Sequence, residues 1–179
     1  MKIIPLMAIV AVLGAALDSA QAQKVETVFG VAKVTLPKNA RIDFGDGWRP
    51  GTKMYYIYFP DGPEEEVVMI EKKTLSKSER RWTDTQWRQR RINYYKNLWK
   101  TTPGAEFKSR TLSGSGKRVT VDYEMKSRDW PRSRDYTVYL RADKTSQVQA
   151  WISMTKLNRW NNEQPRLLRS LISSLRPAK

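Results

Sequence analysis

Apolar and polar positions alternate with a period of two over much of this chain, and one long stretch breaks to a helical period. Val25 to Leu36 is short, β-branched and punctuated by Gly30, which predicts one or two short strands ending at Pro37. Asp43-Phe44-Gly45-Asp46-Gly47 reads as a loop by its turn residues. Its spacing lacks the third ligand of a calcium loop, and its Asp-Phe-Gly has no kinase context around it. Lys53 to Phe59 is a strand apolar on both faces, hence central or covered on both sides. Pro60-Asp61-Gly62-Pro63 forms a turn, and Glu66 to Lys73 predicts the returning hairpin partner.

The helical stretch runs from Arg80 to Lys100 and holds three tryptophans, two tyrosines and seven basic residues against one acid, Asp84. At 100° per residue, Trp87, Ile92, Tyr94, Tyr95, Leu98 and Trp99 share an arc of roughly 160° that also contains Arg88 and Arg91. Two capping boxes, Ser76-x-x-Glu79 and Thr83-x-x-Gln86, offer competing starts, and Thr101-Thr102-Pro103-Gly104 marks the end.

Beyond it the pattern is antiparallel β. Phe107 to Leu112 is a strand and Gly114-Ser115-Gly116 a turn. Lys117 to Lys126 then puts Val119, Val121, Tyr123 and Met125 on one face. A loop, Ser127 to Asp135, leads to Tyr136–Arg141, and a tight turn to Gln147–Thr155. This pair places Tyr136, Val138 and Leu140 beside Val148, Ala150, Ile152 and Met154. Asn162 caps a last helix with Pro165 in its first turn, whose stripe of Leu167, Leu168, Leu171, Ile172 and Leu175 must dock. The fold class that follows is α+β: an antiparallel sheet of about six to seven strands, with a central aromatic and basic helix and a C-terminal helix packed on it.

The first 22 residues read differently. Met1-Lys2 gives a positive start, Ile3 to Leu17 is an apolar run too short to span a bilayer, and Ala20-Gln21-Ala22 is a small-x-small cleavage site. Export by a bacterial-type signal is expected, to the periplasm or beyond, with Gln23 as the new N-terminus and residues 23–179 as one domain. That segment contains one lysine and one aspartate, so the mature chain keeps a net charge of +15. Such charge favours anionic envelope components or acidic proteins as partners, with peripheral membrane contact as one form of this, and export sets nucleic acid aside. The chain has no cysteine and no histidine. Thiol and imidazole catalysis and soft-metal sites are therefore excluded; no metal or cofactor is expected, and an enzyme would have to work with carboxylates, lysine or tyrosine.

This order of elements resembles the PsbP-like fold, shared by a photosystem extrinsic protein and exported bacterial proteins. The resemblance lies in FGVAKVTLP at Phe29–Pro37, the central helix, the meander, and LLRSLISSLRP at Leu167–Pro177. It implies an accessory or binding protein and not an enzyme, and it carries over no functional residue. The arginine- and tryptophan-rich helix departs from the family pattern.

Three groups of residues are candidates. Arg88 and Arg91 among Trp87, Tyr95 and Trp99 could grip a phosphate or carboxylate, or could snorkel over aromatic surface. Arg128, Trp130, Arg132 and Arg134 form a basic loop suited to a membrane interface or a protein anchor, unless the tryptophan folds back on the sheet. Glu64, Glu65, Glu66, Asp122 and Glu124 could supply a carboxylate pair for a hydrolase, or pair across strands with basic residues. The expected function is a non-enzymatic binding or accessory protein. An immunity protein that blocks a toxin and a carboxylate-dependent hydrolase are the alternatives.

Overall fold

The computed structural model describes residues 24–128 and 131–179. The expected cleavage site after Ala22 and the candidate Trp130 lie outside the described residues. Strands β1 (Lys24–Val28) and β2 (Ala32–Leu36) form a hairpin, followed by β3 (Arg41–Asp46), β4 (Lys53–Tyr58) and β5 (Val67–Thr74). Helices α1 (Lys77–Arg80) and α2 (Asp84–Thr101) come next, then β6 (Ala105–Ser115), β7 (Arg118–Ser127), β8 (Ser133–Arg141) and β9 (Ser146–Met154). A 3-10 turn (Leu157–Arg159), helix α3 (Glu163–Ser173) and the short β10 (Arg176–Pro177) complete the order. The expected α+β class is what the chain adopts, as two antiparallel sheets: β3-β4-β5-β9-β8-β7-β6, and a small one, β1-β2-β10.

Both capping boxes are real, and each starts its own helix. The Ser76 hydroxyl accepts from the Glu79 N–H and caps α1, while Thr83 does the same with Gln86 for α2. Arg141, 4% exposed, fixes the junction between them. Its guanidinium donates to the Trp82 carbonyl at 2.5 Å and to Asp84 Oδ1 at 3.3 Å, with longer contacts to the carbonyls of Arg80 and Glu79. The base of α2 is thus tied to the end of β8.

The sheet changes its apolar side between neighbouring strands. On β8 and β9, Val138, Leu140, Val148, Ala150, Ile152 and Met154 are buried beneath α3 and the small sheet, together with Ile57, Val68 and Ile70. On β7 the alternation has the opposite parity, because Val119 and Val121 pack under α2 with Trp87, Tyr95 and Tyr139. The register Val119↔Tyr139 puts the last of these on the same side. Helix α3 docks on its stripe as expected, with Leu168, Leu171, Ile172 and Leu175 buried. Arg118 on β7 holds the end of α3 by donating to the carbonyls of Ser173 (2.7 Å) and Leu175, where the helix dipole favours a cation. Asn162 occupies the N-cap position of α3, but its side chain makes no capping hydrogen bond.

Three expectations need correction. Asp43–Gly47 is not a loop: its first four residues complete β3, pairing residue for residue with β4. The β-rich partner supplies the order that the turn-prone sequence lacks, and the Tyr58 hydroxyl donates to Asp43 at 2.7 Å. Strand β6 runs through Gly114 and Ser115, so the turn narrows to Gly116 and Lys117. Strand β8 begins at Ser133, which shortens the expected Ser127–Asp135 loop from its far end. The strands expected at the N-terminus form a hairpin that makes the small sheet with β10.

Candidate functional site

Helix α2 packs mainly on β6 and β7 and reaches β8 and β9 through Tyr139 and Gln147, and a groove stays open on the same side over β5 and β9. The opening is a groove of about 490 Å³. One wall is α2 with Arg91, Tyr94, Tyr95 and Leu98; the floor carries Glu71, Lys73, Gln147, Gln149 and Trp151; the far wall is the β3–β4 loop with Trp48 and Arg49.

Each part is held by identifiable bonds. In the loop, the Gly47 N–H donates to the Thr52 carbonyl at 2.9 Å and the Thr52 N–H to the Arg49 carbonyl at 3.0 Å. A Cβ on Gly47 would meet Thr52 Oγ1 at 2.3 Å and Met54 Cγ at 2.9 Å, so only glycine lets the loop close this tightly. That closure leaves Trp48 at the rim, 77% exposed. On the helix side Tyr94 is 55% exposed and stands edge-on to Tyr95, with ring centres 5.3 Å apart.

Gln147 organises the floor. It is 2% exposed, and its Oε1 accepts from Trp87 Nε1 at 3.2 Å and from Arg91 Nη2 at 2.7 Å. Arg91 also stacks on the Tyr139 ring, 5.0 Å from its centre. The Tyr95 and Tyr139 hydroxyls meet in a short hydrogen bond. Burial pushes the Tyr95 and Tyr123 hydroxyls far above the ordinary tyrosine range. It raises Tyr139 as well, against the opposing pull of the Tyr95 hydroxyl and the Arg91 charge. Tyr95 and Tyr139 therefore meet as neutral hydroxyls. Glu71 is the one carboxylate lining the groove.

The first candidate group is split. Arg91 belongs to the groove, whereas Arg88 donates to the Gly116 carbonyl at 2.7 Å at the β6–β7 turn. Its stem rests on Gly114, where a Cβ would come within 2.7 Å of Arg88 Cδ. The two arginines thus serve opposite sides of α2, and no joint grip forms. Trp87 is a core residue, Tyr95 is buried, and Trp99 is half-buried against Tyr95 and Tyr123 with Arg110 above its ring.

In the second group, Arg134 is bidentate to Asp122 at 3.0 Å and Arg132 pairs with Glu124. Both arginines sit on strand β8 or just before it, and the acids they hold are on β7's α3 side. Arg134 also stacks on Trp160, and Arg128 is exposed. These pairs also account for the acidic candidates Asp122 and Glu124. Glu65 pairs with Lys156 at 3.1 Å, and Glu66, 2% exposed, pairs with Arg159 at 2.9 Å. Burial still raises the Glu66 carboxyl, against Arg159.

Sequence reasoning missed Trp48, Glu71, Gln147 and Gln149 as a set. The available signal was the polar parity of β9, where Gln147, Gln149 and Trp151 alternate with buried Val148 and Ala150. A second basic hollow lies at the start of α2, lined by Arg80, Arg81, Lys117, Arg141 and Lys144, but Arg141 is spent on backbone carbonyls there.

No protein-family model matches the chain, and no curated protein matches it by sequence. Among solved structures, cyanobacterial PsbP (CyanoP) from Synechocystis sp. PCC 6803 is similar over 88% of this chain and 93% of its own, at 13% identity and a TM-score of 0.55. The Ran-binding protein Mog1p of Saccharomyces cerevisiae covers 87% and 95% at 11% identity and a TM-score of 0.45. LpqN, involved in cell envelope biogenesis of Mycobacterium tuberculosis, covers 83% of each chain at 9% identity and a TM-score of 0.44. The likeness to cyanobacterial PsbP, over nearly the whole of both chains, shows that this protein has a PsbP-like fold.

Proposed function

We propose that the protein is an exported, non-enzymatic binding or accessory protein, and that the groove beside α2 is where it takes an anionic partner. The observation that carries this reading is the groove itself. It is a preformed concavity with exposed Trp48 and Tyr94 at its rim and with Arg49, Arg91 and Lys73, the last also paired to Glu79 at 3.3 Å, against one lining carboxylate, Glu71. Small-molecule and segment-binding sites take this form, with aromatic surface for contact and a few placed polar groups for orientation. A two-carboxylate hydrolysis would need a second acid facing Glu71, and the groove lining supplies none. Export is supported by the charged start, apolar run and cleavage pattern of residues 1–22.

The test separates a site from a diffuse basic surface. Arg91→Gln with Lys73→Gln should weaken binding of a carboxylate-rich polymer such as polygalacturonate by at least tenfold. Lys96→Gln with Lys100→Gln removes the same charge from exposed positions outside the groove lining and should cost two- to threefold, fading with salt. Equal losses, with equal salt slopes, would remove the groove from the account.

A further inference from the structure

We propose that the ligand of this groove is an acidic saccharide: a pyranose chain bearing carboxylate groups. This rests on the binding reading above and names its ligand class. The described residues include four exposed large apolar side chains, Val25, Phe44, Trp48 and Tyr94, and two of these flank the groove. A pyranose ring has one face rich in C–H groups, and that face stacks on the electron-rich face of an aromatic ring. Trp48 and Tyr94 offer two such platforms on opposite walls.

The floor fits the rest of a sugar. Gln147, Gln149 and Glu71 are planar groups that exchange paired hydrogen bonds, the geometry presented by hydroxyls on adjacent ring carbons. Gln147 is nearly fully buried with its oxygen held by two donors, which fixes its amide at the groove floor. Its N–H groups are donors that a ligand hydroxyl or carboxylate can meet. Arg91 is likewise fixed by one bond and one stacked ring, with its other N–H groups free for a carboxylate. Glu71 has no ion-pair partner among the described residues and can only accept. Its matching partners are hydroxyl donors, which a sugar carries on most ring carbons and a DNA backbone does not.

A peptide fits less well. Strands β5, β8 and β9 are each paired on both sides, so the floor exposes no free strand edge to an extended chain. Only Met54 and Leu98 among the lining residues are aliphatic, which leaves few pockets for peptide side chains. The excess of Arg49 and Arg91 over Glu71, with Lys73 already paired to Glu79, selects an acidic sugar over a neutral one.

Calorimetric titration of the signal-free chain with a galacturonic acid hexamer decides the matter, with chitohexaose, a glutamate hexapeptide and an oligothymidylate alongside. The uronic hexamer should bind at least tenfold tighter than the neutral sugar. Trp48→Ala, Tyr94→Ala and Arg91→Gln should each lower its affinity by five- to fiftyfold, with unchanged circular dichroism. Equal binding of chitohexaose overturns the acidic requirement. Groove-dependent binding of the peptide or oligonucleotide in preference to the sugars overturns the saccharide assignment and leaves the binding function standing. Binding of no probe in a way that these variants alter overturns both.

Discussion

The two sides of the seven-stranded sheet are built from different material. Beneath α3 and the small sheet the core is aliphatic and complete, with Ile57, Ile70, Ile152, Leu168 and Ile172 fully buried. Beneath α2 it is aromatic, smaller and unfinished. Trp87 donates to polar Gln147 beside Tyr95 and Tyr139, and a groove stays open over β5 and β9. Aliphatic side chains fill space without needing partners, so that side is held mainly by packing. Buried tyrosine, tryptophan and glutamine each need a hydrogen bond, so the other side holds its shape through a connected polar set. A hydrogen-bonded aromatic layer keeps the groove in shape while it stays open, as the proposed binding role would require.

The largest effect should come from the closed side. Leu171→Ala, at 1% exposure, should lower unfolding free energy by about 2–5 kcal/mol in urea titration. Groove binding per folded molecule should stay unchanged. A loss of ligand affinity in the folded fraction would mean that the two sides are not separable.

Next comes the polar set of the open side. Tyr95→Phe should cost about 1 kcal/mol by removing the bond to Tyr139. It should also change the alkaline limb. The folded pKa values of Tyr95, Tyr139 and Tyr123 all lie above the ordinary value of about 10, so the unfolded chain loses these protons first. The stability they contribute is fully present below pH ~10 and drains as pH rises toward the folded values. Melting followed from pH 8 to 11 should show that fall, and it should be shallower in Tyr95→Phe. A flat profile in the unmodified protein would show that these hydroxyls are not sequestered.

The smallest effect should come from the ion pairs between β7 and β8. Arg132→Gln breaks a pair with Glu124 whose arginine is 58% exposed, and should change stability by less than about 1 kcal/mol, vanishing in high salt. A larger, salt-resistant loss would place the loop in a more structural role than either side of the sheet implies.

What could be read in the chain beforehand follows the same division. The aliphatic side was legible because β8, β9 and α3 each carry a clean local period, and burial of one face requires nothing else. The two capping boxes were legible too, though they looked like rivals until both proved to start helices. Strand β3 was not, since Asp43, Gly45 and Asp46 take their order from the tyrosines of β4 across the ladder. The groove was the least legible part. It joins Trp48 in a glycine-closed loop, Glu71 on β5, Arg91 on α2 and Gln147 on β9, and no local period links positions so far apart. Even the right arginines misled, because helical spacing placed Arg88 and Arg91 in one arc while the sheet beneath drew them to opposite sides.

Strand β10 is two residues long, yet it sets the order of events in folding. It pairs with β2 through Arg176↔Lys33, across most of the chain, and Ser174 Oγ accepts from the Thr35 N–H at 2.8 Å nearby. The first hairpin therefore has no partner on that edge until the segment after α3 has emerged. Closing so long a loop is entropically slow. During vectorial synthesis the hairpin and the aliphatic side of the sheet wait together for the same late segment.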